Sequence, residues 1–177
     1  EKCEPVLAFA TFAKTAPEKA PTQKPGVVVS PPVSAALNQN SGRPSAKSSY
    51  ACTGVAWEQE VVPARMSEIQ NATTWEADGR DILNANINAQ STTYFSWWHL
   101  ISGPFARAWW VIEYTQAHTL GQASFNCDGA PFCPNGPSYP MTLKAETDVY
   151  ANGGCSGYAS YDGQLTPGGA FDYSVSR

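Results

Sequence analysis

Residues 92–115 hold four of the chain's six tryptophans as two adjacent pairs, Trp97-Trp98 and Trp109-Trp110, on either side of Gly103-Pro104. Aromatic and β-branched residues flanking a Gly-Pro step read as a β-hairpin. With the turn at Gly103-Pro104, Trp97 faces Trp110 and Trp98 faces Trp109. Opposed residues of an antiparallel pair share a face. One face then gathers Phe95, Trp97, Ile101, Ala106, Ala108, Trp110 and Ile112, which suits a core. The other gathers Tyr94, Ser96, Trp98, Leu100, Arg107, Trp109, Val111 and Glu113, an aromatic surface with charges at its ends. Tyr94, Trp98, Arg107 and Trp109 are therefore the expected partner or ligand contacts, because aromatic and arginine side chains dominate such contacts. A loop of two or four residues gives this pairing, whereas a three-residue loop shifts the register and mixes the faces.

The remaining 50–177 segment is punctuated by Gly and Pro and patterned with period two. Tyr50 to Trp57 reads as a strand. Asp81 to Gln90 alternates, with Leu83, Ala85, Ile87 and Ala89 on one side and Asn84, Asn86, Asn88 and Gln90 on the other. Carboxamides both donate and accept, so Asn84, Asn86 and Asn88 form a polar ladder suited to sugar hydroxyls or to stacking of like strands. Thr142 to Tyr150 alternates again, and Ala170 to Arg177 reads as a further strand. Pro63 to about Thr73, with Met66 and Ile69 at helical spacing behind a first-turn proline, predicts one short helix. His99 is expected on the core side beside Trp97, and His118 at a strand end. The fold class that follows is mainly β, an antiparallel β-sandwich or barrel with one short helix and an extended Pro-rich N-terminal arm.

That arm spans residues 1–49. Six of the fourteen prolines fall within residues 13–49. Val6 to Ala13 reads as a short strand. Val27, Val28 and Val29, bracketed by Pro25 and Pro31-Pro32, read as an isolated strand confined to a sheet edge. Residues 1–49 hold six basic and three acidic side chains, a net of +3, and residues 50–177 hold five and twelve, a net of −7. A basic arm beside an acidic body predicts that the arm lies on a body, its own or a neighbour's. Its basic residues are too sparse for nucleic acid. No apolar run is long enough to span a membrane.

Five cysteines without metal-ligand spacing point to disulfides and an oxidising compartment. Cys127 with Cys133 closes a short loop, and Cys52 with Cys155 is the second expected bond. Asn71-Ala-Thr73 matches the pattern of a glycosylation acceptor. No catalytic motif, metal site or cofactor fingerprint is present. The function expected is that of a secreted structural subunit of an extracellular assembly, such as a pilus, filament or surface layer. The arm's valine strand would add to the sheet edge of another copy or another subunit. The alternatives are a carbohydrate-binding or adhesive module using the tryptophan face on a polysaccharide, and a secreted glycan hydrolase with two unassigned carboxylates.

Overall fold

Side chains that alternate between apolar and polar can bury one face of a pleated strand and wet the other. The computed structural model shows this pattern running through ten strands; it describes residues 6–13, 27–28, 47–59, 64–128, 139–163, 165 and 170–177. The strands are β1 (Val6–Ala13), β2 (Val27–Val28), β3 (Ser48–Gln59), β4 (Arg65–Ala77), β5 (Ile82–Thr93), β6 (Trp98–Ile112), β7 (Gln116–Cys127), β8 (Tyr139–Tyr150), β9 (Cys155–Gly163) and β10 (Ala170–Ser176). They form two five-stranded sheets in the orders β1-β5-β4-β3-β10 and β2-β9-β8-β7-β6. Every pairing is antiparallel. The sheets pack face to face in a sandwich-like arrangement.

The core fills two apolar clusters. One holds Met66, Ile69, Trp98, Phe125, Met141 and Leu143; the other holds Cys52, Trp75, Ile82, Ala85, Ala117 and Val149. Along β4, β7 and β8 a polar seam separates them. Thr119 Oγ1 lies 2.9 Å from Thr73 Oγ1 and 2.6 Å from Thr147 Oγ1. The Asn71 amide donates to Thr119 Oγ1 at 3.0 Å and to the Thr119 carbonyl at 3.2 Å. Gly121 lets the sheets close at the seam, since a Cβ there would sit 3.0 Å from the Asn71 Cβ. The Cys52–Cys155 disulfide ties β3 to β9, joining the two sheets with a Cα–Cα distance of 6.4 Å.

Two sequence expectations are corrected. The short helix expected from Pro63 to about Thr73 is not formed among the described residues; Arg65 to Ala77 is β4, and Ile69, Asn71, Thr73, Trp75 and Ala77 alternate inward and buried, while Pro63 lies outside the described residues. Asn71 and Thr73 belong to the seam, so polar residues at inner positions concealed the period of two. Asn71 is fully buried, so the folded seam has no room for a glycan on it.

The tryptophan segment is likewise no hairpin about Gly103-Pro104. Residues 98–112 are one strand, and the hairpin joins β6 to β7 through Glu113, Tyr114 and Thr115. Gly103 (φ 93°) and Pro104 sit where the β6–β7 register shifts, between Ser102 and Phe105. β6 is the terminal strand of its sheet. A proline without an N–H is tolerated at an edge or bulge. Within one strand the tryptophans separate differently: Trp98 and Trp110 point inward opposite Cys127 and Ala117, and Trp109 points outward opposite His118.

Candidate functional site

Three regions carry polar or reactive side chains in organised form. The first is the outer face of the sheet containing β1, β5, β4 and β3. The carboxamide ladder forms as its alternation predicts, with Ala85, Ile87 and Ala89 buried beneath it. Register brings its members into rows. Thr11, Asn86 and Thr74 lie side by side on β1, β5 and β4, and Asn84, Glu76 and Ser49 lie side by side on β5, β4 and β3. These residues, with Tyr50, Trp75 and Ala85 between them, line an open cavity of about 690 Å³. Lys47 Nζ sits 2.7 Å from Glu76 Oε2, and the Asn84 amide donates to the same oxygen. These two hydrogen bonds, Lys47's first, hold the Glu76 carboxyl below the usual carboxylate range.

The second region is the outer face of the other sheet, where a row crosses four strands: Trp109 on β6, His118 on β7, Glu146 and Asp148 on β8, and Tyr158 on β9. His118 is 3% exposed and lies between two rings, with Trp109 at 4.3 Å and Tyr158 at 5.3 Å between centroids. Its Nδ1 is 2.9 Å from Asp148 Oδ1 and its Nε2 is 2.8 Å from Glu146 Oε2. Ser160 donates to the second oxygen of Glu146 at 3.4 Å. A neutral imidazole has one N–H and would turn a lone pair toward one carboxylate; the imidazolium donates to both. Burial alone, the largest single influence, pulls the His118 pKa down. The hydrogen bonds and charges of Asp148 and Glu146 together outweigh it and raise the pKa above its ordinary value. The carboxylates converge on a base that takes up both, not on a cleft. Both imidazole nitrogens are so engaged that neither presents a lone pair to a ligand.

The third region is the side of the molecule where β1 and β6 end their sheets. Among the described residues, every exposed large apolar side chain lies on β1, on β6 or at Tyr94 in the turn before β6. Phe9 is 70% exposed, Ile112 58% and Ile101 57%.

The predicted contact residues therefore part company. Asn84, Asn86 and Asn88 share the carboxamide face. Arg107 and Trp109 share the opposite outer face, with Trp109 buried over His118. Trp98 is in the core, and Tyr94 is surface-exposed with its hydroxyl 3.1 Å from Glu68. Val27 and Val28 form β2, an edge strand, and pair with Ser160 and Ala159 of β9 in the same chain; Val29 lies outside the described residues. Cys52 and Cys155 are bonded to each other. Cys127 is disulfide-bonded, and Cys133 lies outside the described residues. His99 faces outward, half-exposed, 2.8 Å from Asp128. The sequence reading missed the His118 cluster; its one local signal is the pair of carboxylates Glu146 and Asp148, two residues apart on one face.

Among the described residues no helix is long and apolar enough to cross a membrane. No family model, no curated protein and no solved structure matches this chain.

Proposed function

We propose that this protein is a structural subunit of an extracellular assembly, in which the Val27–Val28 segment of one copy adds as a strand to an open sheet edge of the next. The observation that carries the reading is the placement of the exposed apolar side chains. They gather on β1 and β6, the two terminal strands on one side of the sandwich. Natural proteins blunt open edges with charges or cover them. An edge flanked instead by Ile101, Phe105, Val111 and Ile112 is built for contact. β6 offers fifteen residues of edge. The donor is itself a terminal strand: β2 pairs antiparallel with β9 through one edge, on the side opposite β6, and its other edge ends the sheet. A donor and an acceptor on opposite sides give a head-to-tail contact, which propagates instead of closing on itself. The +3 arm and the −7 body favour the encounter. The disulfides fit an oxidising, extracellular setting.

The test is sedimentation velocity and electron microscopy of the full chain and of an Ile101→Asp/Val111→Asp variant. Both substituted side chains are exposed, so circular dichroism should stay as in wild type. The wild type should form concentration-dependent oligomers and the variant should remain monomeric. A wild type that is monomeric at millimolar concentration, or a variant that assembles equally well, refutes the proposal. The tryptophan-platform alternative loses its basis, because Trp98 and Trp109 are 1% and 7% exposed.

A further inference from the structure

The carboxamide face has a different character from the apolar edges, and it is unused by assembly through β6. Its floor is regular. Strands lie about 4.8 Å apart, so Thr11, Asn86 and Thr74 present hydroxyl, carboxamide and hydroxyl at the spacing of neighbouring strands. Asn84, Glu76 and Ser49 repeat that scheme in the row beside it as carboxamide, carboxylate and hydroxyl. Thr11, Ser49, Thr74 and Asn86 are exposed, so their polar groups are open to a ligand. The cavity of about 690 Å³ above them falls within the range of small-molecule sites.

The chemistry of the lining selects the ligand class. Carboxamides and hydroxyls both donate and accept, which matches a surface of hydroxyl groups on the other side. The one carboxylate, Glu76, is already neutralised by Lys47 and fixed by Asn84. The face therefore offers no net charge to an anion or a cation. Its exposed side chains are polar, and the apolar part of the lining, Tyr50, Trp75 and Ala85, is half-buried or buried, so an acyl chain or an apolar peptide gains little there. One exposed aromatic ring stands beside the grid: Phe9, 70% exposed, lies two residues before Thr11 and opposite Asn88. A sugar ring has a C–H face that stacks on such a ring and an edge of hydroxyls that reads such a grid.

From this combination we infer that the outer face of β1, β5, β4 and β3 is a binding site for a neutral oligosaccharide, lying across the strands over Thr74, Asn84 and Asn86 with one ring against Phe9. The site is on a rigid sheet whose inner side is packed core. Glu76 is pre-oriented by its two partners, which lowers the ordering cost on binding. The site shares only Phe9 with the apolar side formed by β1 and β6 and uses no residue of β6, so the substitutions that block assembly there leave it intact.

The test uses the full chain carrying the edge substitutions Ile101→Asp/Val111→Asp, so that association does not broaden the signals. It is titrated with cellopentaose, chitopentaose and mannopentaose, each at up to 10 mM, while amide chemical shifts are recorded. A heparin pentasaccharide serves as the ionic counterpart. At least one neutral pentasaccharide should shift the amide signals of Thr74, Asn84 and Asn86 in a saturable way. The heparin fragment should bind no more tightly. A Thr74→Ala/Asn86→Ala variant, altered only at exposed positions, should keep its dispersed spectrum and weaken binding at least tenfold. The inference is overturned if none of the three neutral sugars shifts these signals, if the shifts lie on another face, if the sulfated fragment binds more tightly, or if the double variant binds as the parent does.

Discussion

Replacing Cys52 and Cys155 together by alanine should lower stability by about 4.7 kcal/mol at 25 °C. The magnitude follows from the loop that the bond closes. The two cysteines are 103 residues apart in sequence, and the entropy removed from the unfolded chain by closing a loop of that length is about 16 cal/mol/K. Both residues are buried, at 1% and 2% exposure, and alanine keeps each site apolar, so lost packing adds little. For a chain of this size each kcal/mol moves the melting temperature by about 2–4 °C, which gives a fall of about 10–20 °C. The double substitution is preferable to a reductant because Cys127 is also disulfide-bonded. The assay is guanidinium unfolding followed by tryptophan fluorescence. The midpoint should drop, and the denaturant slope should rise, because the uncrosslinked unfolded chain exposes more surface. A loss below about 1 kcal/mol with an unchanged slope would refute the reasoning, since it would mean that the bond does not constrain the unfolded ensemble.

The His118 cluster makes stability depend on pH with a definite sign. A pKa raised by folding contributes fully below the unfolded value near 6.5, and the contribution is lost as pH rises through the folded value. Unfolding midpoints should therefore fall between pH 6 and pH 9, and His118→Ala should remove that fall. The same variant strands buried Glu146 without its cation and should cost about 3–5 kcal/mol, measured by urea unfolding at pH 6. Asn71→Ala removes both hydrogen bonds to Thr119, at a cost of about 0.5–1.5 kcal/mol for each in the same assay. Expressed in a glycosylating host, the folded wild type should carry no glycan at Asn71 by intact mass.

Strands whose inner residues are apolar were legible. β5 announces itself through Ala85, Ile87 and Ala89 set against three asparagines, and β8 through Leu143, Ala145 and Val149. β4 was not, because its inner positions include Asn71 and Thr73, whose partner Thr119 lies more than forty residues away. β6 was misread for a different reason. Gly-Pro is turn chemistry in most settings, and only the sheet order reveals that this strand is an edge that tolerates it. The His118 cluster draws one or two side chains from each of four strands, and its nearest carboxylate is 28 residues away in sequence. No local pattern encodes such a row; it exists only once the register of β6, β7, β8 and β9 is known. The carboxamide face was legible as a ladder, yet its match with Thr11 and Thr74 comes from pairing that alternation alone does not specify.

The position of β3 between β4 and β10 has a consequence for how the chain is made. β4 follows β3 almost at once, so that pairing can form while the chain is still emerging. β10 lies more than a hundred residues farther on, and it pairs with Thr53 to Gln59 along the other edge of β3. Throughout synthesis of the intervening strands, that edge of β3 is an unpaired row of N–H and C=O groups, and until β9 is made it lies beside a Cys52 thiol whose partner, Cys155, does not yet exist. Such an exposed intermediate is the species most open to pairing with the wrong chain. Newly made chains are therefore at greatest risk before β10 leaves the ribosome, and a folding helper that shields β3 during that interval would raise yield without altering the finished protein.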